Sequence, residues 1–389
     1  MSGVDTAQRT TVLFTTSMNL SGTSGGNIAT REMIAAIGEL PHIDLLLICP
    51  RPSAQLPDSV STVISDVWFL PQKESGSISW HAKAQLPMLK NLLTALTSYD
   101  IDVVTSRVGP TTIFPPVVTT LSNTEYNILV RGMVSRNLKF KRVIDLILRL
   151  NAVSSDASYV AYNEIKSLVD SYRLPSQSPS VVVPNGVNPD KFQPVDKDVA
   201  RSELDIAFDP DEFVIGFVGS VKQRHSIRPL IKSLQSLPDE PSLTALIVGS
   251  GPLVDELVRL TEDLDISDKV TFTGFVPHES VNRYISACDV LYGVVSPANP
   301  SNPIKCYEYL SCERPIITTD VPEFEFVGQH DLGAFVESPT PDAIANCIKE
   351  FMQMDEKNIE KMGERGREYV MDNHTWEIAA KRIIDDNSA

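Results

Sequence analysis

Short apolar runs alternate with stretches of helical period almost from one end of the chain to the other. Val12–Thr15, Leu45–Cys49, Val103–Thr105, Ile128–Val130 and Val181–Val183 have the length and the β-rich apolar content of buried parallel strands. Between them lie helix-like stretches at Asn27–Leu40, Ala82–Leu96, Phe140–Leu150 and Ala157–Tyr172. A second strand series follows at Phe213–Val218, Leu243–Val248, Val270–Phe272, Val290–Tyr292 and Pro315–Ile317, with helices predicted over Leu253–Leu264, Glu279–Ala287, Pro341–Met352 and Trp376–Ile384. Such alternation builds doubly wound α/β sheets. Two series predict two Rossmann-like domains, facing each other across a cleft where strand ends and helix N-termini converge. Pro184-Asn185-Gly186, with Pro189 and Pro194 behind it, gathers turn formers at the boundary. This predicts an N-terminal domain over 1–188 and a C-terminal one over 189–373.

Composition bounds the function. A chain of 389 residues exceeds what one core usually supports. Its longest apolar runs, such as Ile43–Cys49, are far too short to span a bilayer, and the N-terminus shows no signal peptide. The five cysteines (Cys49, Cys288, Cys306, Cys312, Cys347) show no CxxC spacing, so neither disulfides nor structural zinc is expected and a reducing cytoplasm is. A net charge of −16 argues against nucleic acid as a partner.

The first predicted strand runs into Ser21-Gly22-Thr23-Ser24-Gly25-Gly26 and then a helix. Gly25 and Gly26 let backbone amides approach a ligand, and a helix N-terminus favours negative charge. The spacing is neither GxGxxG nor GxxxxGK[ST], which disfavours dinucleotide and P-loop readings; a plain tight turn is an equal alternative. More specific is a series of motifs in fixed order. Val182–Asn188 is followed by Phe217-Val218-Gly219-Ser220, with basic Lys222, Arg224 and His225 close behind. Val248–Pro252, Gly274-Phe275-Val276-Pro277-His278, and Asn302-Pro303-Ile304-Lys305-Cys306-Tyr307-Glu308 ahead of Arg314 complete it.

Together these resemble glycosyltransferase family 4, the retaining glycosyl transferases group 1 of the GT-B fold, most specifically over about residues 180–325. The resemblance implies a nucleotide-sugar donor held by the C-terminal domain and an acceptor held by the N-terminal one. It also implies that the helix from Trp376 crosses back, adding 374–389 to the N-terminal domain. Leaving phosphates need fixed cations and amide dipoles, so Arg224, Lys305 and Glu308 become catalytic candidates, with Arg131 after the strand Ile128–Val130. Gly25, Gly26, Gly219, Lys222, His225, Phe275, Val276, Asn302, Pro303 and Ile304 become donor-binding candidates. Glu308 matches the second glutamate of the family's E-x7-E motif, which binds ribose hydroxyls, whereas Pro300 stands at the first and Asn299 and Asn302 offer polar groups nearby. Arg131-Gly132 stands where many members carry histidine, and His225-Ser226 where the family has Lys-Gly. Solvated basic residues in the loop, and a Glu308–Lys305 surface pair, are the bland alternatives.

No cofactor and no metal are expected. The Asp-x-Asp triplets at Asp100–Asp102, Asp209–Asp211 and Asp263–Asp265 lie beside loops outside the motif series and read as solvated carboxylates. Residues 131–150 mix Arg131, Arg136, Lys139, Lys141, Arg142 and Arg149 with apolar positions and a single acid, Asp145. That pattern suits an anionic membrane surface, on the inner face of the plasma membrane, or the pyrophosphate of a polyprenyl-linked acceptor; a core helix with outward cations is the alternative. The expected role is transfer of a sugar to a glycan or lipid-linked acceptor in cell-surface polysaccharide synthesis. A non-catalytic GT-B sugar-nucleotide or partner binder, and a nucleotide-sugar epimerase, are the competing readings.

Overall fold

The computed structural model describes residues 9–73, 78–132, 141–209, 211–237, 242–296 and 302–385, except for the side chains of Ile78 and Arg224. The chain divides into two compact units, Met1–Asn185 with Trp376–Ala389, and Gly186–Thr375.

The first unit holds a seven-stranded sheet of β1 (Thr10–Thr15), β2 (Ile43–Pro50), β3 (Asp66–Leu70), β4 (Val103–Arg107), β5 (Glu125–Val130), β6 (Ala157–Val160) and β7 (Val181–Val182), in the order β3-β2-β1-β4-β5-β6-β7. Every neighbouring pair is parallel. Its helices are α1 (Gly25–Gly38), α2 (Asp58–Ser61), α3 (Ile78–Lys83), α4 (Gln85–Ser98), α5 (Phe114–Ser122), α6 (Lys141–Ser154) and α7 (Asn163–Asp170).

The second unit holds β8 (Phe213–Val218), β9 (Leu243–Val248), β10 (Val270–Gly274), β11 (Val290–Tyr292), β12 (Ile316–Thr319) and β13 (Gly333–Val336), in the order β10-β9-β8-β11-β12-β13 and parallel throughout. Its helices are α8 (Lys197–Ser202), α9 (Ile227–Leu234), α10 (Val254–Asp263), α11 (Val281–Ser286), α12 (Ile304–Ser311), α13 (Glu325–Gln329), α14 (Pro341–Met352) and α15 (Glu356–Asn373). The last helix, α16 (Trp376–Ile384), packs on α1 in the first unit.

β8 and β11 read as continuous apolar runs because they are buried on both faces. Alternate residues of β8 enter different core layers. Phe213, Ile215 and Phe217 pack with Leu230 of α9 and Ile344 of α14. Val214 and Val218 pack with Ile285 of α11 and Tyr309 of α12.

Three expectations need correction. Ala157–Tyr172 is not one helix: Ala157–Val160 is strand β6, because Tyr159 and Val160 are buried in the ladder beside β5, and the helix begins at Asn163. Val181–Val183 is not a buried strand: β7 is a two-residue edge strand with Val181 exposed. The predicted helix Ala82–Leu96 is split between α3 and α4 at Ala84.

In each sheet the strand order reverses once, between β1 and β4 and between β8 and β11. In open α/β sheets, such reversal points leave a crevice at the carboxyl ends of the strands.

Candidate functional site

In the second unit the crevice is built from the turn after β8 and from α12, which follows β11. Gly219 leaves β8 with φ +139°, a region open to glycine and costly to other residues. A Cβ at Gly219 would lie 3.0 Å from the Lys305 ammonium. Gly249, at φ +125°, is held for a different reason: its Cβ would meet the Gly219 carbonyl oxygen at 2.1 Å. A Cβ at Gly251 would meet that of Val221 at 2.2 Å. These two glycines therefore let the turns after β8 and β9 stack backbone on backbone, and Gly249 N donates to Gly274 O at 2.8 Å.

Lys305 lies in the first turn of α12, with its Nζ 3.9 Å from the centroid of the Phe217 ring. Pro303 is the N-cap residue, and among the described residues no side chain caps the helix. Ile304 is buried, and Glu308 is half-buried one turn further on. Asn302 is also buried and donates from Nδ2 to Tyr307 Oη at 2.7 Å. Tyr307 in turn stacks on His374 at 4.5 Å between ring centroids.

Tyr309 fixes this helix against the sheet. β11 reaches β8 only at Ile215 and Gly216, so the end of β8 lacks a strand on that side. The buried Tyr309 hydroxyl fills the gap: it accepts from Val218 N at 2.8 Å and donates to Val218 O at 3.0 Å. Burial pushes its pKa well above the ordinary tyrosine value, which keeps the donor proton in place.

The basic turn after β8 is a short 3-10 helix, Gln223–His225. Lys222 before it is exposed, whereas His225 is buried with its ring 5.7 Å from that of Phe217. The Arg224 side chain, with Pro300 and Asn299, lies outside the described residues. Ser226 sits in the left-handed region at φ +49°, and its carbonyl accepts from the buried Tyr292 hydroxyl at 2.9 Å. Glycine would take this conformation without strain, whereas serine does so only at some cost. Phe275 is 65% exposed after β10, and Val276 packs against the core. Arg314 is spent on backbone carbonyls, among them Ser286 O at 2.8 Å.

In the first unit, Gly25 and Gly26 open α1, whose N-cap Ser24 side chain accepts from Asn27 N. Gly26 O accepts from Arg107 Nη1 at 2.7 Å. Arg131, at the end of β5, donates to Val183 O and to Asn185 Oδ1 and so ties β5 to the chain after β7. Sequence reasoning missed Lys73, His81 and Arg107 here, and Tyr307 and Tyr309 in the second unit. Arg107 could have been found as the cation directly behind the predicted strand Val103–Thr105; the tyrosines carry no sequence signal beyond their helical spacing. A cavity of about 700 Å³ lined by Thr119, Asn123, Glu125 and Asp156 opens at the amino ends of β5 and β6, the edge away from these groups. Among the described residues no cluster of His, Cys, Asp and Glu is placed to hold a metal ion.

Residues 200–369 match the family described as Glycosyl transferases group 1. An uncharacterized glycosyltransferase of Methanocaldococcus jannaschii is 25% identical over 210 residues, 52% of this chain and 52% of that one. The GDP-mannose-dependent alpha-(1-6)-phosphatidylinositol monomannoside mannosyltransferase of Mycolicibacterium smegmatis is 26% identical over 213 residues, 52% of this chain and 54% of that one. The chain thus spans about half the length of the curated relatives it matches. Sucrose-phosphate synthase from Thermosynechococcus elongatus superposes with a TM-score of 0.79 at 18% identity, covering 98% of each chain, a likeness of fold. The fold and the family resemblance read from the sequence agree with these matches.

Proposed function

From a chain whose residues 200–369 match the group 1 glycosyltransferases and whose two parallel sheets follow the GT-B pattern, we propose a retaining glycosyltransferase that moves a sugar from a nucleotide-sugar donor to a glycan or lipid-linked acceptor. The observation that carries it is the juxtaposition at the second unit's crevice: the Gly219 turn, the Lys305 ammonium against it, and the N-terminal turn of α12. The donor diphosphate would take its hydrogen bonds from the first-turn amides and its countercharge from Lys305. Glu308, one turn on, would accept from the ribose hydroxyls. As the bond from the anomeric carbon to the phosphate oxygen breaks, an acceptor oxygen bonds to that carbon on the same face. Its proton passes to the departing diphosphate. This route asks for no protein nucleophile and no divalent metal, because amides and cations carry the developing charge.

The acceptor side belongs to the first unit, in cell-surface glycan synthesis on an anionic membrane surface. The basic segment supports this through α6, where Lys141, Arg142 and Arg149 are exposed alongside Val143 and Leu146; residues 133–140 lie outside the described residues. Exposed Leu86 and Leu93 on α4 and Val117 and Leu121 on α5 extend the apolar positions over adjoining helices. Among the described residues no helix is long and apolar enough to cross a membrane. Sedimentation with phosphatidylglycerol vesicles, weakened in Lys141→Gln/Arg142→Gln and absent with phosphatidylcholine, is the expected result; equal binding by both proteins removes the membrane role.

Incubation with a panel of nucleotide sugars tests the transfer itself. Release of nucleoside diphosphate from one donor, with the α-configured donor giving an α-linked product by NMR, is expected. Release of nucleoside diphosphate from none, or an inverted product, overturns the reading.

A further inference from the structure

Cations gather at the crevice of the first unit as well. Lys73, three residues after β3, donates from Nζ to Ser17 O at 2.8 Å and lies 4.9 Å from the Trp80 ring centroid. Arg107 ends β4 and reaches under the start of α1, where a Cβ on Gly26 would lie 3.5 Å from its Nη2. Arg131 ends β5. His81, on α3, packs edge-to-face on Trp80, and among the described residues its buried Nδ1 has no hydrogen-bond partner. Ser17 itself is buried, and a Cβ on Gly109 would come within 3.1 Å of its hydroxyl. Groups from the carboxyl ends of β1, β3, β4 and β5 thus meet where the strand order reverses.

These charges act on one another. Burial and then Arg131 lower the Arg107 pKa, burial and then Arg107 lower that of Lys73, and burial and then Lys73 bring His81 down to about 4. Crowding like charges in a half-buried site costs free energy. The contacts that Lys73 and Arg107 make among the described residues do not account for it. Among the described residues Arg107 uses one of its five N–H donors, on Gly26 O, and Lys73 one of its three, on Ser17 O. A neutral side chain would hold either carbonyl as well. In a chain of net charge −16, a cluster of this sign attracts small anions.

We propose that Lys73 and Arg107, at the crevice between β1 and β4, bind a phosphate ester or diester carried by the acceptor. The acceptor assignment rests on the transferase reading above; the anion site itself does not. The same chemistry could come from a soluble sugar phosphate or from a lipid headgroup, and the test separates them.

The full chain is titrated calorimetrically with inorganic phosphate, then with a hexose 6-phosphate, then with phosphatidylglycerol vesicles. Lys73→Gln and Arg107→Gln should each weaken phosphate binding about tenfold or more, the loss expected for one charge-assisted hydrogen bond. Arg107→Lys should retain part of it. Lys73→Gln should leave the melting temperature unchanged or raise it, since it relieves repulsion, whereas a purely structural lysine would lower it. UDP and GDP titrations check that each variant is folded. Cluster-dependent binding of the hexose phosphate names a soluble acceptor; cluster-dependent binding of the vesicles alone names a lipid. Unchanged phosphate affinity in both glutamine variants overturns the site. If phosphate binding depends on the cluster but no nucleotide sugar is turned over, the anion site stands and the transfer reading falls.

Discussion

Removing one oxygen from Tyr309 should damage both the stability of the second unit and its hold on nucleotide. The hydroxyl serves Val218 N at 2.8 Å and Val218 O at 3.0 Å, in a place where β11 is too short to pair. Phenylalanine keeps the ring and orphans both backbone groups. A buried unsatisfied group costs about 1–3 kcal/mol, so Tyr309→Phe should cost on the order of 3 kcal/mol. For a unit of this size that corresponds to a fall of roughly 6–12 °C in melting temperature. Lys305 is on the same helix one turn earlier, and Gly219 follows Val218 directly, so loosening this joint moves the two apart. Calorimetric melting and UDP or GDP titration should therefore both respond, with affinity at least about fivefold weaker, roughly 1 kcal/mol. A melting temperature within a degree of the parent, together with unchanged nucleotide affinity, would refute the bridging role.

Other sites make independent demands. Gly249→Ala combines a positive φ with a Cβ 2.1 Å from Gly219 O, so it should cost about 3 kcal/mol or more in urea unfolding; a loss under 1 kcal/mol contradicts the stacked-turn account. Burial holds the Cys49, Cys288 and Cys306 thiols up at about 12 and Cys347 at about 11, and raises Cys312 as well. No cysteine should then react with a thiol reagent near pH 8 until the protein unfolds; one prompt equivalent would be evidence of an opening. His81 titrates at about 4 when folded and near 6.5 when unfolded, so the unfolded chain takes up its proton first as the pH drops. Stability should fall between those values, and His81→Asn should flatten that fall in unfolding curves at pH 7 and pH 5; identical pH slopes would exclude His81 as the source.

The strands β8, β9 and β11 of the second unit were the most legible because every residue in them is buried, whereas the partly buried β13 (Gly333–Val336) escaped. Phe213–Val218, Leu243–Val248 and Val290–Tyr292 coincide with the observed strands residue for residue. β6 escaped because Ala157–Val160 is four residues long and runs almost directly into α7, which blends two periods into one apparent helix. β3 escaped because Asp66-Val67-Trp68-Phe69-Leu70 is only partly buried at the sheet edge. The ordered glycines and Lys305 could be placed from motif order, since backbone demands such as φ +139° at Gly219 leave a mark in the residue type. Tyr309 and the Lys73–Arg107 cluster depend on which strand ends lie side by side. That is a property of the strand order, and local spacing does not encode it.

The second unit is proposed to bind a nucleotide-sugar through α12 and the Gly219 turn. Thermal-shift screening against UDP-, GDP-, ADP- and dTDP-sugars tests it most directly, because a ligand that binds only the folded state at about 100 times its Kd adds roughly 2.7 kcal/mol of stability. One nucleotide class should raise the melting temperature of the parent, and the shift should vanish in Lys305→Ala and shrink in Glu308→Gln. No shift with any donor, or a shift that survives in Lys305→Ala, would contradict the account.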